Sequence, residues 1–345
     1  MTKLLNHINT YQSEADYKND KSKDFPNVSY IVENDNVLFV KEKTDYSNDY
    51  LTFEAIEDGT FTFTGTNSNS LSYSLDDGET WTALASGSAS PTVTSGNKIM
   101  WKGTCTPVDT GSGKFSATAN FNVQGNIMSL LFGDDFTNKT DLTGKDYAFY
   151  NLFNQNTNIK SAKNLILPAT TLAQYCYSEM FYGCKSLTTA PQLPTTTLAT
   201  DCYSRMFKGC TSLVNAPVLP AITLVYNCYI GMFSGCTSLT TAPELPATTL
   251  AGGCYNSMFQ RCTKLVNAPV LPATTLANWC YTNMFNGCTS LNYIKCLATN
   301  ISASNCLYNW VYGVASTGTF VKNSAATWNV TGINGIPDGW TVVTE

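Results

Sequence analysis

Cysteine is the residue type with the most chemical potential in this chain: there are thirteen in 345 residues. Cys105 stands alone. Eleven others form two series, Cys176, Cys202, Cys228, Cys254, Cys280 and Cys306, and Cys184, Cys210, Cys236, Cys262 and Cys288, while Cys296 belongs to neither. Spacing within the series alternates between 8 and 18 residues. Zinc sites draw on cysteine pairs two to four residues apart, so this is no zinc pattern. Disulfide staples between neighbouring copies and a ladder of metal-bound thiolates are the reactive alternatives. Every copy carries both cysteines, however, so no pairing is privileged. The simpler reading is a column of small buried thiols used for packing.

Other catalytic constellations are weak. His7 is the only histidine, and a Ser-His-Asp or Cys-His arrangement would have to bring it beside a distant nucleophile. Glu54, Glu57, Asp58, Asp76, Asp77, Asp134 and Asp135 could in principle supply a glycosidase pair. Turn and edge contexts account for them without catalysis. Ser74-Leu75-Asp76-Asp77-Gly78-Glu79-Thr80-Trp81 resembles the Asp-box hairpin of sialidase-like propellers. A propeller needs several copies and there is one; calcium at Asp76 and Asp77 is the alternative use. Gly113-Lys114 is a fragment of a phosphate-binding loop, with Val108 where the first glycine belongs. The expectation is a protein with no catalytic residues, no cofactor and no metal.

The stretch that must position any functional surface runs from Leu167 to Leu297. One 26-residue phrase is repeated there five times, opening at Leu167, Leu193, Leu219, Leu245 and Leu271 without insertions. Its consensus is L-P-A-T-T-L-A-x-x-C-Y-x-x-M-F-x-G-C-T-S-L-x-x-A-P-x. A fixed period of this length marks stacked units that share an apolar core. Thr-Thr-Leu and Ser-Leu-x-x-Ala read as short strands, and the prolines as corners. Cys-Tyr-x-x-Met-Phe has apolar residues at i, i+1, i+4 and i+5 and reads as one helical turn, stopped by the glycine of Gly-Cys-Thr-Ser. Arg261 replaces that glycine in the fourth copy. Either its backbone is not left-handed, or that copy carries strain.

The motifs M-F-x-G-C-T-S-L and A-P-x-L-P-A-T-T-L resemble the leucine-rich repeats of the BspA-like family of Bacteroidales surface proteins and related phage proteins. The resemblance covers roughly residues 125–345. It implies a curved, non-enzymatic scaffold used in adhesion or recognition. The expected fold is therefore mainly β: a leucine-rich-repeat solenoid of short strands and single helical turns, preceded by a small β-sandwich and a short α/β N-terminal segment. The expected division is an attachment segment (1–50), an Ig-like sandwich (51–128), the solenoid with its N-terminal capping coil (129–313) and a C-terminal cap (314–345).

Two kinds of position within the repeat differ freely between copies and therefore point to water or a partner. One is the pair after Thr-Leu-Ala or its variant, which contributes Tyr175, Asp201, Tyr226, Asn227 and Trp279. The other lies two residues before the second cysteine and contributes Tyr182 and Lys208. Aromatic rings beside Asn and Thr suit glycan or protein contacts, because flat rings lose little entropy on burial.

Fifteen charged residues fall within the first 49, where residues 9–21 read as a helix and Val28–Val32 with Val37–Val40 as a hairpin. Overall the chain is only 13% charged, with net charge −5, which counts against a nucleic-acid partner. No apolar run approaches the roughly 20 residues of a membrane span, and Met1–Glu14 lacks the apolar core of a signal peptide. The expected role is a structural or host-recognition component of a phage virion, with the N-terminal segment contacting other virion proteins. The chain would form a homo-oligomer and present the repeats to a host-surface glycan or protein. A bacterial cell-surface adhesin is the alternative, and an accessory module of a carbohydrate-active enzyme a lesser one.

Overall fold

The computed structural model describes residues 8–11, 28–33, 36–41, 45–65, 71–105 and 113–345. Two compact units divide the chain, Met1–Tyr46 and Ser47–Glu345. In the first, β1 (Ile8–Tyr11), β2 (Val28–Glu33) and β3 (Asn36–Lys41) form an antiparallel sheet in the order β1-β3-β2. β2 and β3 pair antiparallel from Val28 with Lys41 to Glu33 with Asn36. The expected α/β segment is corrected here. Residues 9–11 of the predicted helix are strand, paired with Val37–Phe39 of β3, and the valine-rich β3 supplies that partner. Residues 12–21, His7 and Val108 lie outside the described residues.

The second unit begins with seven strands: β4 (Leu51–Ala55), β5 (Phe61–Thr64), β6 (Leu71–Ser74), β7 (Thr82–Ala83), β8 (Lys98–Gly103), β9 (Lys114–Ala117) and β10 (Phe121–Asn126). Inward residues alternate along them, as in β8, where Ile99, Trp101 and Gly103 are buried. Phe53 sits at the centre, its ring 4.9–5.9 Å from those of Phe61, Trp101, Phe115, Phe121 and Phe153. The strands do not close into a sandwich of their own. β11 (Ile159–Ile166), drawn from the start of the repeat region, adds in parallel to β10. The six-stranded order becomes β11-β10-β4-β8-β6-β7, while β5 and β9 form a separate two-stranded ladder. The one α-helix among the described residues, α1 (Ser129–Phe132), runs into a 3-10 turn at Gly133–Phe136. Ser129 ties it down: its hydroxyl donates to the Trp101 carbonyl and accepts from the Leu51 N–H.

The repeats are built of turns. From Tyr175 to Cys184, N–H groups alternate between two uses. Those of Cys176, Ser178, Met180, Tyr182 and Cys184 close local turns onto the carbonyl three residues back. Those of Tyr175, Tyr177, Glu179, Phe181 and Gly183 donate across to the next copy, at Thr200, Cys202, Ser204, Met206 and Lys208. Every fourth residue is left-handed: Tyr175, Glu179 and Gly183 have φ of 56°, 54° and 69°. The same set recurs at Asp201, Arg205 and Gly209, and onward through Asn305, Asn309 and Gly313. Each copy is thus one layer of turns bonded to the layers on either side.

This overturns the expected leucine-rich-repeat solenoid of short strands and single helical turns. The extended structure lies in separate sheets, one of them all-parallel, and the repeat layers contain neither strand nor helix between β11 and β12 (Tyr293–Cys296). The reason is local. A left-handed residue every four positions breaks an i→i−4 ladder before it completes a turn. The apolar spacing i, i+1, i+4, i+5 reports a period of four, the repeat of the turns, and not the helical 3.6. Thr-Thr-Leu, bounded by prolines, reaches only isolated parallel bridges such as Thr223 with Thr249.

Inside the layers, side chains stack in files. The rings of Phe149, Tyr177, Tyr203, Tyr229, Tyr255 and Tyr281 follow one another at 5.5–6.2 Å. Phe153, Phe181, Phe207, Phe233, Phe259 and Phe285 form a second file at 5.2–5.8 Å. Both files end on Trp310, which stands 6.3 Å from Tyr281 and 6.2 Å from Phe285. A parallel sheet of β12, β13 (Thr319–Lys322) and β14 (Thr341–Thr344) follows. Three indoles fasten this end by donating to backbone carbonyls: Trp310 to Gly335, Trp328 to Ala298 and Trp340 to Ala315.

Candidate functional site

Twelve of the thirteen cysteines are buried free thiols, all but Cys105. In the second series each Sγ–H donates to a phenylalanine carbonyl of the preceding layer, as Cys210 does to Phe181 at 3.0 Å and Cys236 to Phe207 at 3.1 Å. Burial pushes the Cys176 and Cys228 thiols up to about 12. Neutral and buried, these groups are packing atoms. In the first layer Asn156 stands where later layers have cysteine, and its amide donates to the Phe115 carbonyl. Among the described residues, no group of three or more His, Cys, Asp or Glu side chains is placed to hold a metal ion.

The Asp-box segment is a self-contained hairpin. Asp76 accepts from the Thr80 N–H and hydroxyl and from the Ser74 hydroxyl, which together hold its carboxyl down at about 2. Gly78 takes φ of 90°, and Trp81 donates to its carbonyl. Asp134 is likewise occupied, accepting from Lys102 and from the Tyr50 hydroxyl. Burial, followed by this hydrogen bond, pushes Tyr50 up to about 12.

The residues selected from sequence separate into two surfaces. Tyr175, Asp201, Asn227 and Trp279 occupy one left-handed column, position for position, with Gly253 between the last two. The Tyr175 ring lies flat against Tyr147 at 4.6 Å, and burial followed by the nearby Asp201 charge raises its hydroxyl's pKa. Asp201 is only 6% exposed, and its carboxyl is raised by burial, against the opposing pull of hydrogen bonds from Tyr175 and Asn227. It organises its neighbours and offers little surface to a partner. Tyr226 and Trp279 are different, at 50% and 43% exposure. Tyr226 leans over Gly252, where a Cβ would meet the ring at 3.2 Å, and Asn227 covers Gly253. The diglycine Gly252-Gly253 thus leaves a low saddle between the two large rings.

Tyr182 and Lys208 belong to the second surface, a groove of about 480 Å³. Its floor is a left-handed column in which Gly183, Gly209 and Gly235 lie directly over one another. A Cβ at Gly209 would stand 3.6 Å from the Gly183 Cα. Each of these glycines donates its N–H to the carbonyl of the variable residue in the next layer, Gly183 to Lys208, Gly209 to Ser234 and Gly235 to Gln260. The backbone of the variable position is therefore fixed while its side chain is free to differ. Lys208 holds its ammonium 5.7 Å over the Tyr182 ring.

Sequence reading missed Gln155, Thr157, Lys185 and Arg261 as walls of this groove, while Gln260 sits at the same freely varying position as Tyr182 and Lys208. A signal existed for two of them. Gln155 and Arg261 are the positions where this column is not glycine. Their φ values of 58° and 60° show that the backbone keeps its left-handed form without the residue suited to it. The glycine replacement at Arg261 is thus resolved in favour of strain.

No family model, curated protein or solved structure matches this chain.

Proposed function

We propose that this chain is a non-catalytic structural and recognition protein that displays a variable surface on an invariant stack to a glycan or protein of a host surface. One observation carries the reading. The backbone is repeated layer by layer in dihedral angle and hydrogen bond, while the side chains of two columns differ in every layer and gather into a groove and an aromatic saddle. A backbone held this rigidly costs little further ordering when a ligand binds. The reactive groups that could support catalysis are engaged elsewhere: the thiols in packing, Asp76 and Asp134 in local hydrogen bonds. A phage virion is the proposed setting, with residues 1–50 toward other virion proteins; a bacterial cell surface is the alternative.

The test is binding of the fluorescently labelled full chain to intact bacterial cells. It is compared with a variant in which the six selected residues other than the buried Asp201, namely Tyr175, Tyr226, Asn227, Trp279, Tyr182 and Lys208, are all replaced by Thr or Asn. Loss of cell binding with an unchanged melting curve supports display of a recognition surface. Equal binding by both proteins refutes it. Gold-labelled antibody against the chain, applied to purified phage particles and to cells, distinguishes the two settings.

A further inference from the structure

We infer that the glycine-floored groove is a binding site for an acidic polysaccharide, with Lys185, Lys208 and Arg261 taking its carboxylate or sulfate groups. This rests on reading the chain as a recognition protein and names the class of ligand.

Charge is the first ground. Three cations and no carboxylate line the groove, in a chain of net charge −5. The ion pairs among the described residues are Lys102 with Asp134, Arg205 with Glu179 and Lys295 with Glu345, so none of the three groove cations is neutralised by the protein itself. The second ground is strain kept in place. Gly183, Gly209, Gly235, Gly287 and Gly313 occupy the left-handed column without penalty, but Gln155 and Arg261 do not. Both strained residues line the groove and stand at the two ends of its three-glycine floor. A strained backbone at a ligand-facing position points to use of the side chain it carries.

Shape and chemistry narrow the ligand. Each layer is bonded backbone to backbone to the next, so the floor between Gln155 and Arg261 presents the same bare step layer after layer, a periodic track for an extended polymer. Bare glycine lets such a chain lie against the backbone. Gln155, Thr157, Ser234 and Gln260 offer hydroxyl and amide groups, which suit a ligand rich in hydroxyls. A single-stranded nucleic acid fits less well. Its bases need rings to stack on, and the groove has one, Tyr182, already beneath Lys208.

The experiment is affinity electrophoresis and calorimetry of the full chain at low salt. The probes are polygalacturonate, a chondroitin sulfate, neutral dextran and a poly-dT oligonucleotide. The expected result is binding to the uronate or the sulfated polymer, none to dextran or poly-dT, and weakening as salt is raised. Lys208→Gln and Arg261→Gly should each reduce affinity about five- to tenfold, as expected for loss of one charge-assisted contact. Val218→Thr, exposed and outside the groove, should leave it unchanged. Melting curves of all variants serve as the control for folding. Acidic-glycan binding that survives both groove substitutions overturns the proposal, as does tighter binding of poly-dT or absence of binding to either acidic polymer. If cells or dextran are bound through Tyr226 and Trp279 and the groove variants are silent, the groove assignment fails while the recognition reading stands.

Discussion

Replacing Arg261 with glycine should make the protein more stable by about 0.5–1 kcal/mol. Arg261 has φ of 60°, a region that places Cβ too near the following carbonyl and costs roughly 1–2 kcal/mol for a residue other than glycine. Glycine gives back about 0.4–1 kcal/mol through the greater freedom of the unfolded chain. Little else changes. The Arg261 N–H still reaches the Asn286 carbonyl at 2.7 Å, and the side chain makes no ion pair to lose. For a unit of this size the difference corresponds to a rise in melting temperature of about 1–2 °C. The reverse substitution, Gly209→Arg, should destabilise by a similar amount. There is ordinary van der Waals room for its Cβ, 3.6 Å from the Gly183 Cα, so the effect is conformational and not a clash. Urea unfolding followed by tryptophan fluorescence reads both, provided the slopes match the parent. A lower midpoint for Arg261→Gly, or a higher one for Gly209→Arg, would refute the assignment of strain to this column.

Alkylation of the native protein with iodoacetamide at pH 8, read by mass spectrometry, should leave the twelve buried cysteines unmodified, because burial holds thiols such as Cys176 near 12 and out of solvent. Guanidinium should expose all thirteen; rapid native labelling of the repeat cysteines would show the stack to be open. The Asp76 carboxyl should titrate near 2 by carbon NMR. Its folded value is depressed, so its contribution is complete above the ordinary carboxylate range and is lost only as pH falls through about 2; Thr80→Ala should move the midpoint upward. Trp310→Ala deletes the ring on which both aromatic files end and an indole bond to Gly335, and should destabilise by about 3–5 kcal/mol. Hydrogen exchange should then accelerate first in β13 and β14; unchanged protection there would show that the end holds without its indole.

The sequence displayed the period and hid its conformation. Leu187, Leu213, Leu239, Leu265 and Leu291 are buried alike, as their spacing requires. Met-Phe and Cys-Tyr also point inward, yet their grouping in pairs four residues apart was open to two readings, and only backbone angles at Tyr175, Glu179 and Gly183 select turns over a helix. Large side chains such as Trp279 and Arg205 at left-handed positions defeat local propensity; hydrogen bonds to the neighbouring layers hold them there, and a single copy read alone does not contain those bonds. The sites divided in the same way. Variation between copies picked out Tyr182 and Lys208, which do line the groove. It also picked out Asp201, whose burial depends on Tyr175 one layer before it and Asn227 one layer after. Arg261 was noticed only as an exception to glycine, because nothing linear connects it to Gln155, four layers away.

Trp310 joins two files into one side chain, and the interior layers carry the same buried set at every level. A crossover between two gene segments coding for near-identical copies would insert or delete a whole storey and leave the foundation and roof as they were. Recombination in the middle would then lengthen or shorten the trough by one unit at a time, without any change to the residues that close its ends.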